Sequence, residues 1–124
     1  MHADDVDAGT AAVETRIEGV APFDLDDEIR LLPVPGHTRG STCLLYRSTH
    51  LFSGDHVAWS ASRGHVYAFR DACWYDWDAQ IESMERLARE RFESILPGHG
   101  RRCRFPAERM KVELERCVAW MRAL

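Results

Sequence analysis

The chain has 124 residues, 45% of them hydrophobic, which is enough for one core and sets a single domain as the expectation. A formal net charge of -4 and a pI near 5.8 argue against a general affinity for nucleic acid or an anionic membrane, which needs clustered Lys and Arg. No apolar run approaches the roughly 20 residues of a membrane helix, and no basic stretch followed by an apolar one opens the chain, so a soluble cytoplasmic protein is expected. Cys43, Cys73, Cys103 and Cys117 form no Cys-x-x-Cys pair. That argues against a zinc ribbon or a redox motif and for reduced, mostly buried thiols.

Residues 1-27 form a weakly patterned lead-in rich in Asp, Ala and Gly, with a brief strand-like alternation at Val13, Thr15 and Ile17. The acidic run Asp24, Asp26, Asp27 and Glu28 reads as a solvated turn. Strands are expected over residues 28–34 and 41–46, on either side of a turn at Pro35-Gly36, and at Leu51-Phe52-Ser53 with Asp55 at its exit. Strands so close in sequence pair as antiparallel neighbours. Residues 56–74 keep no period and scatter Trp59, Tyr67, Phe69 and Trp74 among polar residues, which predicts a long aromatic loop able to wall a substrate pocket. Trp77, Ile81, Met84, Leu87, Ala88 and Phe92 recur at helical spacing, so a helix capped by Asp76 is expected to run to Arg91. A short buried strand over residues 92–96 follows. A last helix then starts near Pro106 and carries Met110, Leu114, Cys117, Val118 and Met121 on one face.

Three apolar stretches each end in a glycine turn bearing a metal-capable side chain: Val34-Pro35-Gly36-His37, Leu51-Phe52-Ser53-Gly54-Asp55 and Ile95-Leu96-Pro97-Gly98-His99. A divalent cation needs nitrogen and oxygen donors converging at about 2.0–2.2 Å. Strand ends hold such donors rigidly while the glycines let the backbone turn.

In order and spacing, Pro35-Gly36-His37-Thr38-Arg39-Gly40-Ser41, Phe52-Ser53-Gly54-Asp55 and Pro97-Gly98-His99-Gly100 resemble the third, fourth and fifth metal motifs of metallo-β-lactamase-fold hydrolases. The resemblance covers roughly residues 28 to 104 and extends to the final helix. It implies an α/β (α+β) chain forming half of a four-layer αββα sandwich, with a mainly antiparallel sheet and two amphipathic helices. Residues 1-124 are then a single partial domain, with 1-27 as lead-in and 28-124 as the C-terminal half of the fold.

By this likeness His37 binds one metal, His99 binds a second, and Asp55 bridges the two and orients the attacking hydroxide. The family's metals are zinc, or iron or manganese, up to two per site. Its upstream H-x-H-x-D-H motif has no counterpart here, where His2 is the one histidine before His37. The three remaining donors are expected to hold at most one ion, weakly, because each zinc that activates water needs about three protein ligands.

Around these donors, Thr38 and Ser41 either orient a ligand or simply bond the loop backbone. His56 is a substrate contact or a packing residue, because neighbours on extended backbone point to opposite sides. Arg101 and Arg102, with Arg104, either draw in a substrate carboxylate or phosphate or form a solvated lead-in to the last helix. His50 and His65 are expected in loops, facing solvent.

Two functions compete. One is a truncated metal-dependent hydrolase acting on an ester, thioester, amide or phosphoester of a small molecule, with little or no activity alone. The other is a non-catalytic binding or assembly module. A half-sandwich exposes a sheet face, so a homodimer or a complex with a separately encoded N-terminal half is expected in either case.

Overall fold

The structure is a computed structural model that describes residues 1–13 and 15–124. Six strands form one mixed sheet in the order β1 (Phe23–Asp24), β2 (Ile29–Pro33), β3 (Thr42–Tyr46), β4 (His50–Gly54), β7 (Ser94–Pro97) and β8 (Cys103–Arg104). Neighbours β2, β3 and β4 pair antiparallel as expected, whereas β4 and β7 pair in parallel. A parallel pair cannot be closed by a tight turn. Residues 55–93 make the crossover, and it includes the helix α1 (Trp77–Leu87).

Period-two alternation sorts the side chains. Leu32, Cys43, Leu45, Leu51 and Ile95 point to one face and are buried there. Against them pack Ile81, Met84 and Leu87 of α1 and Met110, Leu114, Cys117 and Met121 of the last helix, α2 (Ala107–Arg122). Leu51 and Ile95 are fully buried, and burying a side chain of that size contributes about 1.5–3 kcal/mol.

On the opposite face the register aligns Phe23, Leu31, Leu44, Phe52 and Leu96 in one row across five strands. Phe23 and Phe52 are 42% and 47% exposed, and the three leucines are half-buried.

Asp76 caps α1 by accepting from the Asp78 N–H at 3.2 Å. The helix stops at Leu87, short of the expected Arg91, because its last turn tightens. Arg89 N–H bonds the Arg86 carbonyl and Glu90 N–H bonds that of Leu87, at 3.1 and 3.0 Å.

The aromatic loop expected over residues 56–74 is in part ordered. It contains an antiparallel hairpin of β5 (Ala58–Ser60) and β6 (His65–Tyr67), followed by a single 3-10 turn at Arg70–Ala72. Three-residue strands are too short to display a period, so the pattern was hidden in the sequence. The hairpin buries Ala58 and Val66 while Tyr67 stacks edge-on to Phe69 at 4.9 Å. His50 and His65 therefore sit half-buried in strands rather than in solvent-facing loops.

All four cysteines are free thiols, two buried and two half-buried. Among the described residues no helix is long and apolar enough to cross a membrane.

Candidate metal centre

β2, β4 and β7 run in the same direction, so the three turns that follow them leave the sheet at one end. That is why residues far apart in sequence meet. One contact ties two of the turns together and another closes one of them. Gly98 N–H donates to the Gly54 carbonyl at 2.8 Å, and His56 N–H closes the Asp55 turn on the Ser53 carbonyl at 3.0 Å. Gly54 occupies the left-handed region at φ 54°, which lets β4 turn at once into Asp55.

The Asp55 carboxylate lies between both imidazoles. Its Oδ1 is 2.5 Å from His99 Nδ1, and its Oδ2 is 3.3 Å from His37 Nε2. His37 is held from behind, where its Nδ1 donates to the Ala72 carbonyl at 2.5 Å. That bond assigns the ring proton to Nδ1 and leaves the Nε2 lone pair facing a carboxylate oxygen. Two electron-rich atoms that face each other are relieved by a cation or a proton between them.

Atoms bound about 2.1 Å from a tetrahedral ion stand roughly 3.4 Å apart, so the 3.3 Å His37–Asp55 gap has the width to bracket one. The His99 contact, at 2.5 Å, is a direct hydrogen bond with no room for an ion. It pushes the His99 imidazole above its ordinary pKa, first through the hydrogen bond to Asp55 and then through the carboxylate charge.

Among the described residues no group of three or more His, Cys, Asp or Glu side chains is already arranged as a cation cage. The donors therefore fit one borderline cation on the His37 side, with His99 able to join only by giving up its hydrogen bond. They do not fit two.

Thr38 and Ser41 both build the loop. Ser41 Oγ accepts from the Thr38 N–H at 3.0 Å and lies 3.0 Å from Thr38 Oγ1. Asp5 was missed in the sequence. Its carboxylate accepts from Thr38 Oγ1 at 2.6 Å and from the Gly40 N–H at 2.9 Å, anchoring the His37 turn to the lead-in.

His56 is buried, and burial pushes its pKa down to about 3, aided by the charge of Arg86. Its carbonyl accepts from Gln80 Nε2 at 3.3 Å. Neither of its ring nitrogens has a hydrogen-bond partner among the described residues.

Arg101 and Arg102 are exposed just beyond His99. Trp74 is 73% exposed, with its ring 6.4 Å from that of His37, and borders a recess of about 590 Å³ that Tyr67, Phe69, Arg70 and Trp120 also line.

Solved structures share this architecture. An archaeal metallo-β-lactamase superfamily protein from Sulfolobus tokodaii superposes with a TM-score of 0.54 at 24% identity, over 85% of this chain and 39% of its own. A metallo-β-lactamase family protein from Thermus thermophilus gives 0.55 at 19% identity, over 87% and 35%. The DIM-1 metallo-β-lactamase gives 0.53 at 19%, over 87% and 47%. The chain thus has the metallo-β-lactamase fold, and it spans less than half the length of each of these three proteins. No family model and no curated protein matches the sequence.

Proposed function

We propose that this chain is a metal-dependent hydrolase module of the metallo-β-lactamase type that acts in the cytoplasm on a small-molecule ester, thioester, amide or phosphoester. The observation that carries the reading is the Asp55 carboxylate in contact with both His37 and His99. A zinc, iron or manganese ion held by His37, Asp55 and His99 supplies, when bound, Lewis acidity toward a carbonyl or phosphoryl oxygen and a lowered pKa for water.

The chain's own residues do the rest. The Ala72 carbonyl keeps the His37 proton on Nδ1, so Nε2 is presented as a donor. Asp5, Thr38 and Ser41 hold the His37 turn in place. Asp55 is the acceptor for a proton leaving the attacking water, Arg101 and Arg102 attract a substrate anion, and Trp74 walls the approach. With three donors the chain alone binds at most one ion, weakly, and turns over slowly.

The test is metal content after equilibration with zinc or manganese, compared between the wild type and a His37→Ala, Asp55→Ala, His99→Ala triple variant. The reading expects measurable uptake that the triple variant loses, and equal, negligible contents would end it. Hydrolysis of nitrophenyl acetate and bis-nitrophenyl phosphate by the metal-loaded protein then reports the reaction class.

The second reading is a non-catalytic assembly module. The uncovered row of Phe23, Leu31, Leu44, Phe52 and Leu96 favours it.

A further inference from the structure

We infer that a second copy of this chain packs face to face on the outward side of the six-stranded sheet, related by a two-fold axis that runs parallel to the strands. The inference rests on the assembly reading for its surface and adds the identity of the partner and its registration. It does not depend on metal binding.

The apolar centre of the surface is the aligned row that runs from Phe23 in β1 to Leu96 in β7. A row crossing five strands is too continuous to be scattered surface hydrophobics, and its two phenylalanines are nearly half exposed.

The charges at the two ends of the row differ in sign. The β1–β2 side carries Asp24, Asp26, Asp27 and Glu28, all exposed. Arg30 neutralises Asp24 and Arg47 neutralises Glu28, each at 2.7 Å, which leaves Asp26 and Asp27 in excess. The β8 side carries Arg101, Arg102 and Arg104, also exposed and in no ion pair among the described residues. Arg102 and Arg104 border the outward face itself, because they line a recess of about 480 Å³ together with His50, Ser94 and Leu96.

The register also sets the level of each charge. Arg104 lies opposite Ser94, Ser94 opposite His50, His50 opposite Tyr46 and Tyr46 opposite Ile29, so Arg104 and the Asp26-Asp27 turn stand at the same end of the sheet.

Symmetry then selects one arrangement. A two-fold axis lying between the sheets and perpendicular to the strands would place β1 over β1 with the strand ends exchanged, so that no acidic corner meets a basic one. An axis parallel to the strands places β1 of one copy over β8 of the other and keeps both at the same end. Each acidic corner then meets a basic corner, twice per dimer, and the sheets pack in the aligned manner of a β-sandwich. The competing registration forgoes both of these opposite-charge contacts.

The experiment uses the full chain and two charge-reversed forms, Asp27→Lys/Glu28→Lys and Arg102→Glu/Arg104→Glu, with circular dichroism confirming the fold of each. Light scattering at about 50 µM in low salt is expected to return twice the 14.2 kDa chain mass for the wild type. Each reversed form alone should dimerise about tenfold or more weakly, because its two corners then carry like charge. Mixed in equal amounts, the two should recover a heterodimer of near wild-type affinity, and Phe52→Glu should abolish pairing in every combination.

A wild type that stays monomeric to hundreds of micromolar overturns this inference and leaves the assembly reading to a different polypeptide on the same face. Reversed forms that dimerise alone as well as the wild type overturn the registration and leave only unregistered apolar association.

Discussion

Gly36 lies against Gln80 of α1 so closely that a Cβ on the glycine would fall 2.4 Å from the Gln80 Cβ. The turn that presents His37 is therefore seated directly on the helix. Gly36→Ala must push the two apart, and overpacking of this kind costs about 1–3 kcal/mol. Urea unfolding should show that loss, and zinc uptake should fall further than stability does, because the displaced backbone carries His37. An alanine variant with unchanged stability and uptake would show that the turn is not held by this contact.

Asp5 offers a cleaner separation of loop order from core stability. Its carboxylate receives Thr38 Oγ1 and the Gly40 N–H. Asp5→Ala leaves those donors to water at a half-buried site, a loss of about 1–3 kcal/mol. Groups that orient ligands typically change metal affinity about 10–100-fold when removed. Metal titration is expected to weaken into that range while circular dichroism keeps its helical signal.

Leu51 and Phe52 are neighbours on one strand and should respond in opposite ways. Leu51 is fully buried, so Leu51→Ala should cost about 2–5 kcal/mol in denaturant unfolding. Phe52, 47% exposed on the other face, should lose far less in the monomer on truncation. The contrast checks which face of β4 meets the helices.

The thiols supply a pH dependence. Burial pushes Cys43 and Cys117 up from 9.0 to about 12. In the unfolded chain these thiols lose their protons near 9, whereas the folded chain keeps them, so the unfolded state binds fewer protons between the two values. Stability is therefore fully present below about pH 9 and declines as pH rises toward 12. Urea midpoints measured across that range should fall, and Cys43→Ala/Cys117→Ala should flatten the slope even though it lowers the starting stability.

The three donor turns were legible in the sequence because each is local: an apolar stretch, a glycine, then the ligand-type residue within a few positions. Convergence was implied by the family resemblance alone, because nothing local in residues 92–96 announces that their strand runs parallel to β4. The β5–β6 hairpin was not, because Ala58–Ser60 and His65–Tyr67 are each shorter than one readable period.

Asp5 was hidden for a different reason. It reaches Thr38 across 33 residues, and an aspartate in an unpatterned lead-in carries no mark of a distant partner. The support from Ala72 was less visible still, because the group involved is a backbone carbonyl that every residue type possesses. The outward apolar row did leave a trace. Leu31-Leu32 and Leu44-Leu45 place apolar side chains on successive positions, which a strand wet on one side does not need.

The carbonyl that receives the His37 ring proton belongs to the segment joining the hairpin to α1, and the neighbouring Trp74 and Tyr75 N–H groups bond back to the carbonyls of His37 and Gly36 at 3.1 Å each. Whatever lifts that segment removes the group that dictates which nitrogen of the imidazole is basic. The strength of the ligand is in this way made to follow the docking of a strap that carries no ligand itself, and crowding or anchoring of Trp74 becomes a handle on coordination at a distance.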